Sequence, residues 1–419
     1  MLSSSVSAML RAGLFGFLAL TGVVSDVAAQ TLPADVNKAA LQSATARGNL
    51  DHSLARFSAG EKATVAFMGG SITEMNGYRP MVMQDLQTRF PDTEFQFVNA
   101  GIASTCSHTG AFRLPTDVLA FKPDLLLVEF AVNDDQDAGH SFAEALRGME
   151  GVVRSAKTQL PEMDLVMVHF VNQGMLGLVQ KDQVPTSIAA HETVADHYGV
   201  STCNVAVELA KRIESGESSW KTYGGVHPQA PGNRIAADLV AKVMDQHGYP
   251  ELKTPSSPKV HVASQAGDSK QLPAAIDPSS YASGRFLPAN QVELGTGWSL
   301  LQPNWSQIAG GFRDRYGKQK LFVADSAGAE LAFSFTGTAV GLFVLAGPDA
   351  GAVEVSVDGK PWKRVELYHR FSRGLHYPRT IVLQSGLPHQ KHDVKLRVAA
   401  ESHPNSKGQA VRVLHFTAS

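Results

Sequence analysis

The expected fold follows most directly from the stretch Ala63-Thr-Val-Ala-Phe-Met-Gly-Gly-Ser-Ile-Thr-Glu74, whose short apolar run ends in two glycines and a serine. A nearly continuous apolar run suits a strand that is buried on both faces of a sheet. In an open parallel sheet, sites form at the carboxyl ends of the strands, and glycines there let the backbone approach a substrate closely. The stretch therefore predicts a strand of an α/β sheet with Ser71 at its functional edge.

The same pattern continues through the first half of the chain. Further apolar runs follow at residues 94–98, 124–132, 164–171 and 200–203. Helical patterns lie between them; one begins with capping-box spacing at Ser141 and Glu144, and the last should stop at Gly248. For residues 35–250 this alternation predicts a three-layer α/β fold, in which helices flank a parallel sheet on both sides.

The pattern changes after residue 250. Residues 251–284 are interpreted as a linker and connecting segment, since they contain Lys253-Thr-Pro-Ser-Ser-Pro258. From residue 285 to 419 the apolar residues alternate with period two, as in Val353-Glu-Val-Ser-Val357, which precedes the turn pair Asp358-Gly359. This half is expected to form an antiparallel β-sandwich.

The N-terminus has the features of a targeting segment. Arg11 precedes an apolar run over residues 12–24, and Val27-Ala-Ala29 has the small residues of a cleavage site. The run is too short to span a bilayer as a helix. Residues 1–29 are therefore predicted to be a signal peptide, and the mature protein is expected to be exported without stable membrane insertion. An uncleaved membrane anchor is the alternative.

Composition excludes few functions but is informative about partners. The 419 residues are 43% hydrophobic and 18% charged, with a net charge of −2. This balance gives no electrostatic reason to expect nucleic acid or an anionic membrane as a partner, so neutral substrates fit best. The two cysteines, Cys106 and Cys203, either pair after export or remain buried thiols.

Two further strand ends carry hydrogen-bond donors. The second predicted strand ends in Asn99-Ala-Gly101, and the third ends in Phe130-Ala-Val-Asn133. The backbone amide of Gly101 and the side-chain amide of Asn133 should lie at the same edge as Ser71, where acyl transfer needs donors for the developing oxyanion. Three acidic residues follow, namely Asp134, Asp135 and Asp137. They could suggest a metal, but a solvated loop is favoured, and neither a metal nor a cofactor is predicted.

A candidate base lies just before the last helical pattern, in Tyr223-Gly-Gly-Val-His227-Pro228. Pro228 biases the residue before it away from helical geometry, which places the ring of His227 on a loop. Histidine is the side chain best suited to take and return a proton near neutral pH. The sequence has 15 histidines, so these features alone do not single out His227 as a base.

Ser71, Gly101, Asn133 and His227, in this order and context, resemble the SGNH (GDSL-type) hydrolase superfamily over roughly residues 60–247. The resemblance implies a flavodoxin-like fold with Ser71 as nucleophile and His227 as general acid/base. It also implies an oxyanion hole formed by the backbone amides of Ser71 and Gly101 and by the side chain of Asn133.

The sequence departs from the family pattern at two positions. The usual Gly-Asp-Ser reads Gly69-Gly70-Ser71, and the Asp that usually stands three residues before the histidine is Gly224. A triad's acid holds the imidazole in its working tautomer. Either a Ser-His dyad operates, with a backbone carbonyl or another acid orienting His227, or the enzyme is impaired. The dyad is favoured, and His108 is the alternative base.

The second half has a resemblance of its own. Segments 338–343, 347–351 and 353–359 resemble the jelly-roll β-sandwich found beside the catalytic domain of some bacterial carbohydrate esterases. Sugar contact would use aromatic rings as stacking surfaces, and the candidates are Trp362, Tyr368 and Tyr377. Core packing is the favoured interpretation of these rings.

Together these features predict a secreted serine esterase that removes acetyl or other small acyl groups from a carbohydrate through an acyl-enzyme on Ser71. The expected partner is the acylated carbohydrate substrate. The alternatives are a carbohydrate O-acyltransferase that uses the same acyl-serine, and a catalytically impaired sugar-binding protein that kept the fold.

Overall fold

The computed structural model describes residues 33–250 and 272–419. The predicted signal peptide and residues 251–271 of the predicted linker lie outside these ranges. Within them, no helix has the length and apolar character needed to cross a membrane.

A six-stranded sheet forms the centre of the first half. Its strands are β1 (Ala44–Thr45), β2 (Lys62–Gly69), β3 (Glu94–Gly101), β4 (Leu125–Glu129), β5 (Asp164–His169) and β6 (Ser201–Asn204). They lie in the order β1-β6-β5-β4-β2-β3. The pairs among β2 to β6 are parallel, as predicted, and only the short edge strand β1 of this sheet runs antiparallel to its neighbour.

Helices cover both faces of this sheet. They are α1 (Ala34–Ala40), α2 (Asp51–Ser58), α3 (Ser71–Glu74), α4 (Tyr78–Arg89), α5 (Ser107–Asp117), α6 (Phe142–Gln159), α7 (Gln173–Val179), α8 (Thr186–Tyr198), α9 (Val205–Glu214), α10 (Trp220–Tyr223) and α11 (Ala230–Gln246). Successive residues of a strand point to opposite faces. Accordingly, Val65 and Phe67 belong to one apolar cluster, and Ala66 and Met68 belong to another. The predicted three-layer fold is confirmed.

Local signals in the sequence account for the ends of the helices. Helix α6 begins with the predicted capping box, in which the amide of Glu144 donates to the hydroxyl of Ser141 at 3.3 Å. The amide of Ser141 donates in return to the carboxylate of Glu144 at 2.9 Å. Helix α11 ends at Gln246, just before Gly248, whose φ of 77° is in the left-handed region.

The third predicted strand, over residues 124–132, is wrong at its C-terminal end. Strand β4 stops at Glu129, and the chain then turns into a π-helical turn at Asn133–Ala138. Phe130, Ala131 and Val132 are nonetheless buried. A short apolar run does not distinguish a buried strand from a buried helical turn, because both put apolar side chains in the core.

The second half consists of two antiparallel sheets, as predicted. One contains β7 (Arg285–Phe286), β9 (Ser299–Leu301), β10 (Leu321–Ala324), β12 (Val340–Ala346), β15 (Tyr377–Gln384) and β17 (Val411–Ala418). The other contains β8 (Val292–Leu294), β11 (Glu330–Gly337), β13 (Ala352–Val357), β14 (Lys363–Glu366) and β16 (Gln390–Val398). Their inner faces share one core, in which the ring of Phe333 packs on that of Phe416 at 4.7 Å between centroids.

The segment that precedes the β-sandwich packs on helix α6. The backbone amides of Ile276 and Asp277 donate to the carboxylate of Glu150 at 2.6 and 2.9 Å. Farther along, the hydroxyl of Thr109 on α5 donates to that of Thr380 on β15 at 2.9 Å. The β-sandwich therefore lies against the helical layer of the α/β half, on the side that carries α5 and α6.

Candidate active site

The structure brings Ser71 and His227 together. Gly70 separates the end of β2 from Ser71, which begins helix α3, and His227 lies on the loop between α10 and α11. The hydroxyl Oγ of Ser71 is 2.8 Å from Nε2 of His227. This is the distance at which a base accepts the proton of a nucleophile. The ring of His227 is exposed, so the pair is open to a large substrate.

A buried carboxylate holds the turn that presents Ser71. Oε1 of Glu129, at the end of β4, accepts hydrogen bonds from the amide of Gly70 at 2.9 Å and from the amide and hydroxyl of Thr73 at 3.2 and 2.8 Å. Glu129 is 1% exposed. Burial raises its pKa to about 7, although the hydrogen bonds from Thr73 and Gly70 act in the opposite direction. Three donors thus fix the backbone on both sides of Ser71.

Glu129 was missed at the level of the sequence. The signal was present, because a single charged residue inside an apolar run is costly to bury unless it is hydrogen-bonded. Its partners lie about 60 positions earlier, so the sequence does not reveal what it binds.

Asn133 lies beside the same turn. Its side chain is 2% exposed and packs against Gly70, where an added Cβ would collide with the amide oxygen of Asn133. In this structure the close approach leaves no room for a side chain at position 70, where the family usually has Asp. Nδ2 of Asn133 donates to Oδ2 of Asp137 at 2.7 Å. The predicted oxyanion donor is therefore next to the nucleophile turn, with its amide held by a neighbouring carboxylate.

Gly101 is near the turn, but its amide is engaged. Its N–H donates to the side-chain oxygen of Asn99 at 3.0 Å, and an added Cβ would collide with the backbone of Glu74. The following loop contains Ser104, whose φ of 69° is in the left-handed region. Among residues 33–250 and 272–419, no backbone acceptor pairs with the amide of Ser104. Ser104 was also missed from the sequence, because a left-handed serine is uncommon and has no signature.

The absence of an acid before His227 has a steric cause. Gly224 has a φ of 107°, and a Cβ at this position would collide with the backbone nitrogen of Gln229. The amide of Gln229 in turn donates to the carbonyl of Tyr223 at 2.9 Å, which closes the loop. Within the described part of the chain, His227 has no hydrogen-bond partner besides Ser71. Neither an acid nor a backbone carbonyl orients its ring there.

His108, the alternative base, is engaged elsewhere. Its Nε2 lies 2.9 Å from the carbonyl oxygen of Glu144, and its ring stacks on that of His140 with centroids 4.0 Å apart. Burial, followed by the neighbouring His140, lowers the pKa of His108 to about 3. Among the described residues, the hydroxyl of Ser71 pairs with His227 and not with His108, whose Nε2 is engaged by Glu144.

The acidic run after Asn133 is not a solvated loop, so that interpretation is wrong. Asp134 is fully buried and accepts from the amide of Ser107 at 2.8 Å, with Nε2 of His191 at 2.9 Å from its other oxygen. Asp135 accepts from Nδ2 of Asn172 at 2.7 Å. The run forms a π-helical turn, and the carboxylates of Asp134 and Asp135 form hydrogen bonds with residues of neighbouring segments.

Within the part of the chain that the structure describes, one group of side chains could hold a metal ion. Potential ligand atoms of Cys106, Asp134 and His140 lie within 4.8 Å of one another. Burial alone would lower the pKa of His140, but Cys106 and Asp134 raise it well above its usual value. A cationic His140 paired with the carboxylate of Asp134 at 3.3 Å accounts for the arrangement without an ion.

Burial bears on two questions that the sequence left open, the state of the cysteines and the role of the aromatic rings. Cys106 and Cys203 are both buried and unpaired. Tyr368 and Tyr377 are 7% and 3% exposed, which favours core packing over sugar stacking. Trp362 is partly exposed, and the guanidinium of Arg397 covers one face of its ring at 4.3 Å.

Comparison with known proteins supports the predicted resemblance. The model of the GDSL-like Lipase/Acylhydrolase family matches residues 67–235. This range contains all four residues predicted to form the site, and the resemblance stated from the sequence is confirmed. No curated protein matches the chain.

Solved structures extend the likeness to both halves. A two-domain esterase (CEX) active on acetylated mannans, co-crystallized with mannopentaose, is 22% identical with a TM-score of 0.68, covering 90% of this chain and 96% of that one. Another structure of a two-domain esterase (CEX) active on acetylated mannans is 21% identical with a TM-score of 0.69. The match covers 90% of this chain and 97% of that one. A variant of an acetylxylan esterase from Geobacillus stearothermophilus is 16% identical over 43% of this chain and 94% of that one, with a TM-score of 0.37. The first two matches confirm the two-part fold.

The titration of Glu129 should make stability depend on pH. Its folded pKa of about 7 is above its ordinary value of 4.5, so its contribution is present below pH 4.5 and is lost as the pH rises through 7. Between pH 5 and 8 the parent should lose roughly 1–3 kcal/mol of unfolding free energy relative to Glu129→Gln. Denaturant unfolding of both proteins across this range measures the difference. Parallel curves for the two proteins would contradict the assignment.

Placing an acid at position 224 should destabilise the protein without increasing ester hydrolysis. Gly224→Asp should lower the unfolding free energy by more than Gly225→Asp, because both positions have positive φ but only a side chain at 224 collides with the backbone. Thermal unfolding compares the two variants, and ester hydrolysis by Gly224→Asp should not exceed that of the parent. A Gly224→Asp protein as stable as the parent and faster than it would contradict the steric explanation.

Proposed function

We propose that this protein, a serine hydrolase of carboxylic esters whose residues 67–235 match the GDSL-like lipase/acylhydrolase family, removes acetyl or other small acyl groups from a carbohydrate. The observation that carries this proposal is the contact of 2.8 Å between Oγ of Ser71 and Nε2 of His227. A serine in reach of an imidazole is the minimal apparatus for acyl transfer.

The reaction proceeds in two stages. Oγ of Ser71 attacks the carbonyl carbon of the ester while Nε2 of His227 takes the hydroxyl proton. The tetrahedral intermediate collapses, the sugar oxygen leaves with that proton, and the acyl group remains on Ser71. Water then attacks the acyl-enzyme, giving its proton to His227, and the carboxylic acid departs as Ser71 is restored. Atoms and charge balance without a cofactor.

The oxyanion is stabilised by amides around the nucleophile turn. Glu129 fixes this turn and so the direction of the backbone amide of Ser71, and the side-chain amide of Asn133 lies against Gly70 on the same turn. The third donor comes from the last residue of β3 or from the loop that follows it. It is the amide of Gly101 once the side chain of Asn99 moves away, or the amide of Ser104. In many acyl-transfer enzymes, preorganised donors of this kind accelerate the reaction more than any other single effect.

Ser71 and His227 operate as a dyad. Gly224 leaves no room for an acid, and the exposed His227 has no hydrogen-bond partner other than Ser71 among the described residues. A water molecule can accept the Nδ1 proton and keep Nε2 free to act as the base. Such a dyad is expected to turn over more slowly than a triad, because water holds the tautomer less firmly than a carboxylate does.

The substrate class follows from the fold and the openness of the site. The two-domain esterase with the same fold acts on acetylated mannans, so acetylated mannan is the first substrate to test. The exposed position of His227 suits a polymer, which need not enter a deep pocket. Export through the predicted signal peptide at residues 1–29 would bring the enzyme to such a polysaccharide.

Removing the nucleophile should abolish turnover. Ser71→Ala and His227→Ala should each lower kcat for nitrophenyl acetate and for acetate release from acetylated mannan by roughly 10³-fold or more. The double variant should be no slower than the slower single variant, since the two groups act as a unit. Ser141→Ala, which alters only the cap of helix α6, is the control.

Two outcomes would overturn the proposal. Parent-like turnover by Ser71→Ala would remove Ser71 from the mechanism. Transfer of acetyl from nitrophenyl acetate to an added mannooligosaccharide, with little free acetate, would identify an acyltransferase instead of an esterase.

A further inference from the structure

We propose that Asp137 is a positioning residue that orients the side-chain amide of Asn133 toward the oxyanion, and that Tyr377 of the β-sandwich holds Asp137 for this role. The inference rests on the proposed function and deepens it. It makes the second half of the chain a working part of the active site.

The amide of Asn133 is oriented by its hydrogen bond to Asp137. The two residues are four positions apart on the π-helical turn, and Nδ2 of Asn133 donates to Oδ2 of Asp137 at 2.7 Å. An ionised carboxylate only accepts hydrogen bonds, so a flipped amide would set oxygen against oxygen. The carboxylate therefore keeps nitrogen on its side, with Oδ1 of Asn133 nearest to Gly70. Among the described residues the second N–H of Nδ2 has no acceptor, so it is available to a substrate oxygen.

Without Asp137 the two flipped orientations of the Asn133 side-chain amide would differ little in energy. Its oxygen Oδ1 is buried and has no hydrogen-bond partner among the described residues. A flip would present this oxygen, and not a donor, to the developing negative charge. The bond to Asp137 is thus the contact on this side chain that selects the catalytically useful orientation.

The β-sandwich supports Asp137 through Tyr377. This residue begins β15, and its ring stacks on that of His369 with centroids 4.7 Å apart and planes 14° apart. Its hydroxyl lies 3.5 Å from the carbonyl oxygen of Ser104, and Tyr377, Ser104 and Asp137 line the same cavity. The hydroxyl has one proton to donate to either acceptor, and donation to Asp137 favours the ionised carboxylate. This buried tyrosine of the β-sandwich therefore lines one cavity together with residues of both loops that carry the candidate oxyanion donors.

The charge of Asp137 is moderated by its neighbours. A carboxylate close to the oxyanion hole opposes the developing negative charge unless cations offset it. Burial raises the pKa of Asp137, whereas the amide of Asn133, the charge of Arg370 and the hydroxyl of Tyr377 favour its ionised form. Arg370 and Tyr377 both belong to the β-sandwich. The same half of the chain thus fixes Asp137 and moderates its charge.

The test is a double-mutant cycle in the full chain, with nitrophenyl acetate as substrate. Asn133→Ala should lower kcat by roughly 10²–10³-fold. Asp137→Ala should lower kcat by about 10-fold or more with KM nearly unchanged, because a charge-assisted hydrogen bond is lost. In the Asn133→Ala background, Asp137→Ala should have no further effect. Asp137→Asn, which keeps an acceptor oxygen, should recover most of the lost kcat.

A matched control is present on the same turn. Asp135 accepts from an asparagine amide at the same distance of 2.7 Å, but that amide belongs to Asn172 and not to Asn133. Asp135→Ala therefore removes an equivalent bond and should leave kcat within about 3-fold of the parent. Thermal unfolding of every variant separates loss of fold from loss of orientation.

If Asp137→Ala does not fold, Tyr377→Phe takes its place in the double-mutant cycle. It removes only the hydroxyl, and it should lower kcat several-fold in the parent and have no effect in the Asn133→Ala background. Tyr198→Phe, which removes hydrogen bonds to Glu150 and Arg154 on helix α6, is its control.

The outcomes separate this inference from the proposed function. Independent, multiplying losses from Asn133→Ala and Asp137→Ala, or from Asn133→Ala and Tyr377→Phe, would overturn the inference. Parent-like kcat in Asp137→Ala, while Ser71→Ala is inactive, would also overturn it and leave the esterase intact. Parent-like kcat in Ser71→Ala would overturn the proposed function itself.

Discussion

The candidate active site depends on one buried carboxylate beneath the turn that presents Ser71. Oε1 of Glu129 binds the amides of Gly70 and Thr73 and the hydroxyl of Thr73. Because β4 pairs directly with β2, Glu129 lies opposite Gly69 at the end of the two strands, beside the turn. The turn can bend sharply because Gly69 and Gly70 leave space for Glu129 and Asn133. Those contacts fix Ser71 where His227 meets it.

The first half of the fold was predictable because its signals are local. Apolar runs buried on both faces indicate parallel strands, and the capping box at Ser141 marks the start of helix α6. The meeting of Ser71 with His227 was predictable for a topological reason, since strand ends and the loop before the last helix share one edge of the sheet. The glycine at position 224 was visible as a departure, but its steric cause required coordinates.

What the sequence did not reveal depends on contacts between distant segments. Phe130 to Val132 continue the apolar run of β4, yet they turn into a helix that places Asp137 beside Asn133. Core packing was the favoured interpretation of Tyr377, but the sequence did not reveal that the residue packs at the Ser104 loop of the α/β half. Neither placement follows from periodicity, because each depends on which surfaces of the two halves meet.

The proposed mechanism requires that Ser71, activated by His227, form a covalent acyl-enzyme. Mass spectrometry of the protein after reaction with a fluorophosphonate, followed by mapping of the modified peptide, measures the nucleophilic step itself. We expect one adduct, on Ser71, and its loss in His227→Ala, because the imidazole takes the proton of the attacking hydroxyl. An adduct on another residue, or an unlabelled Ser71 in a protein that hydrolyses the ester, would contradict the mechanism.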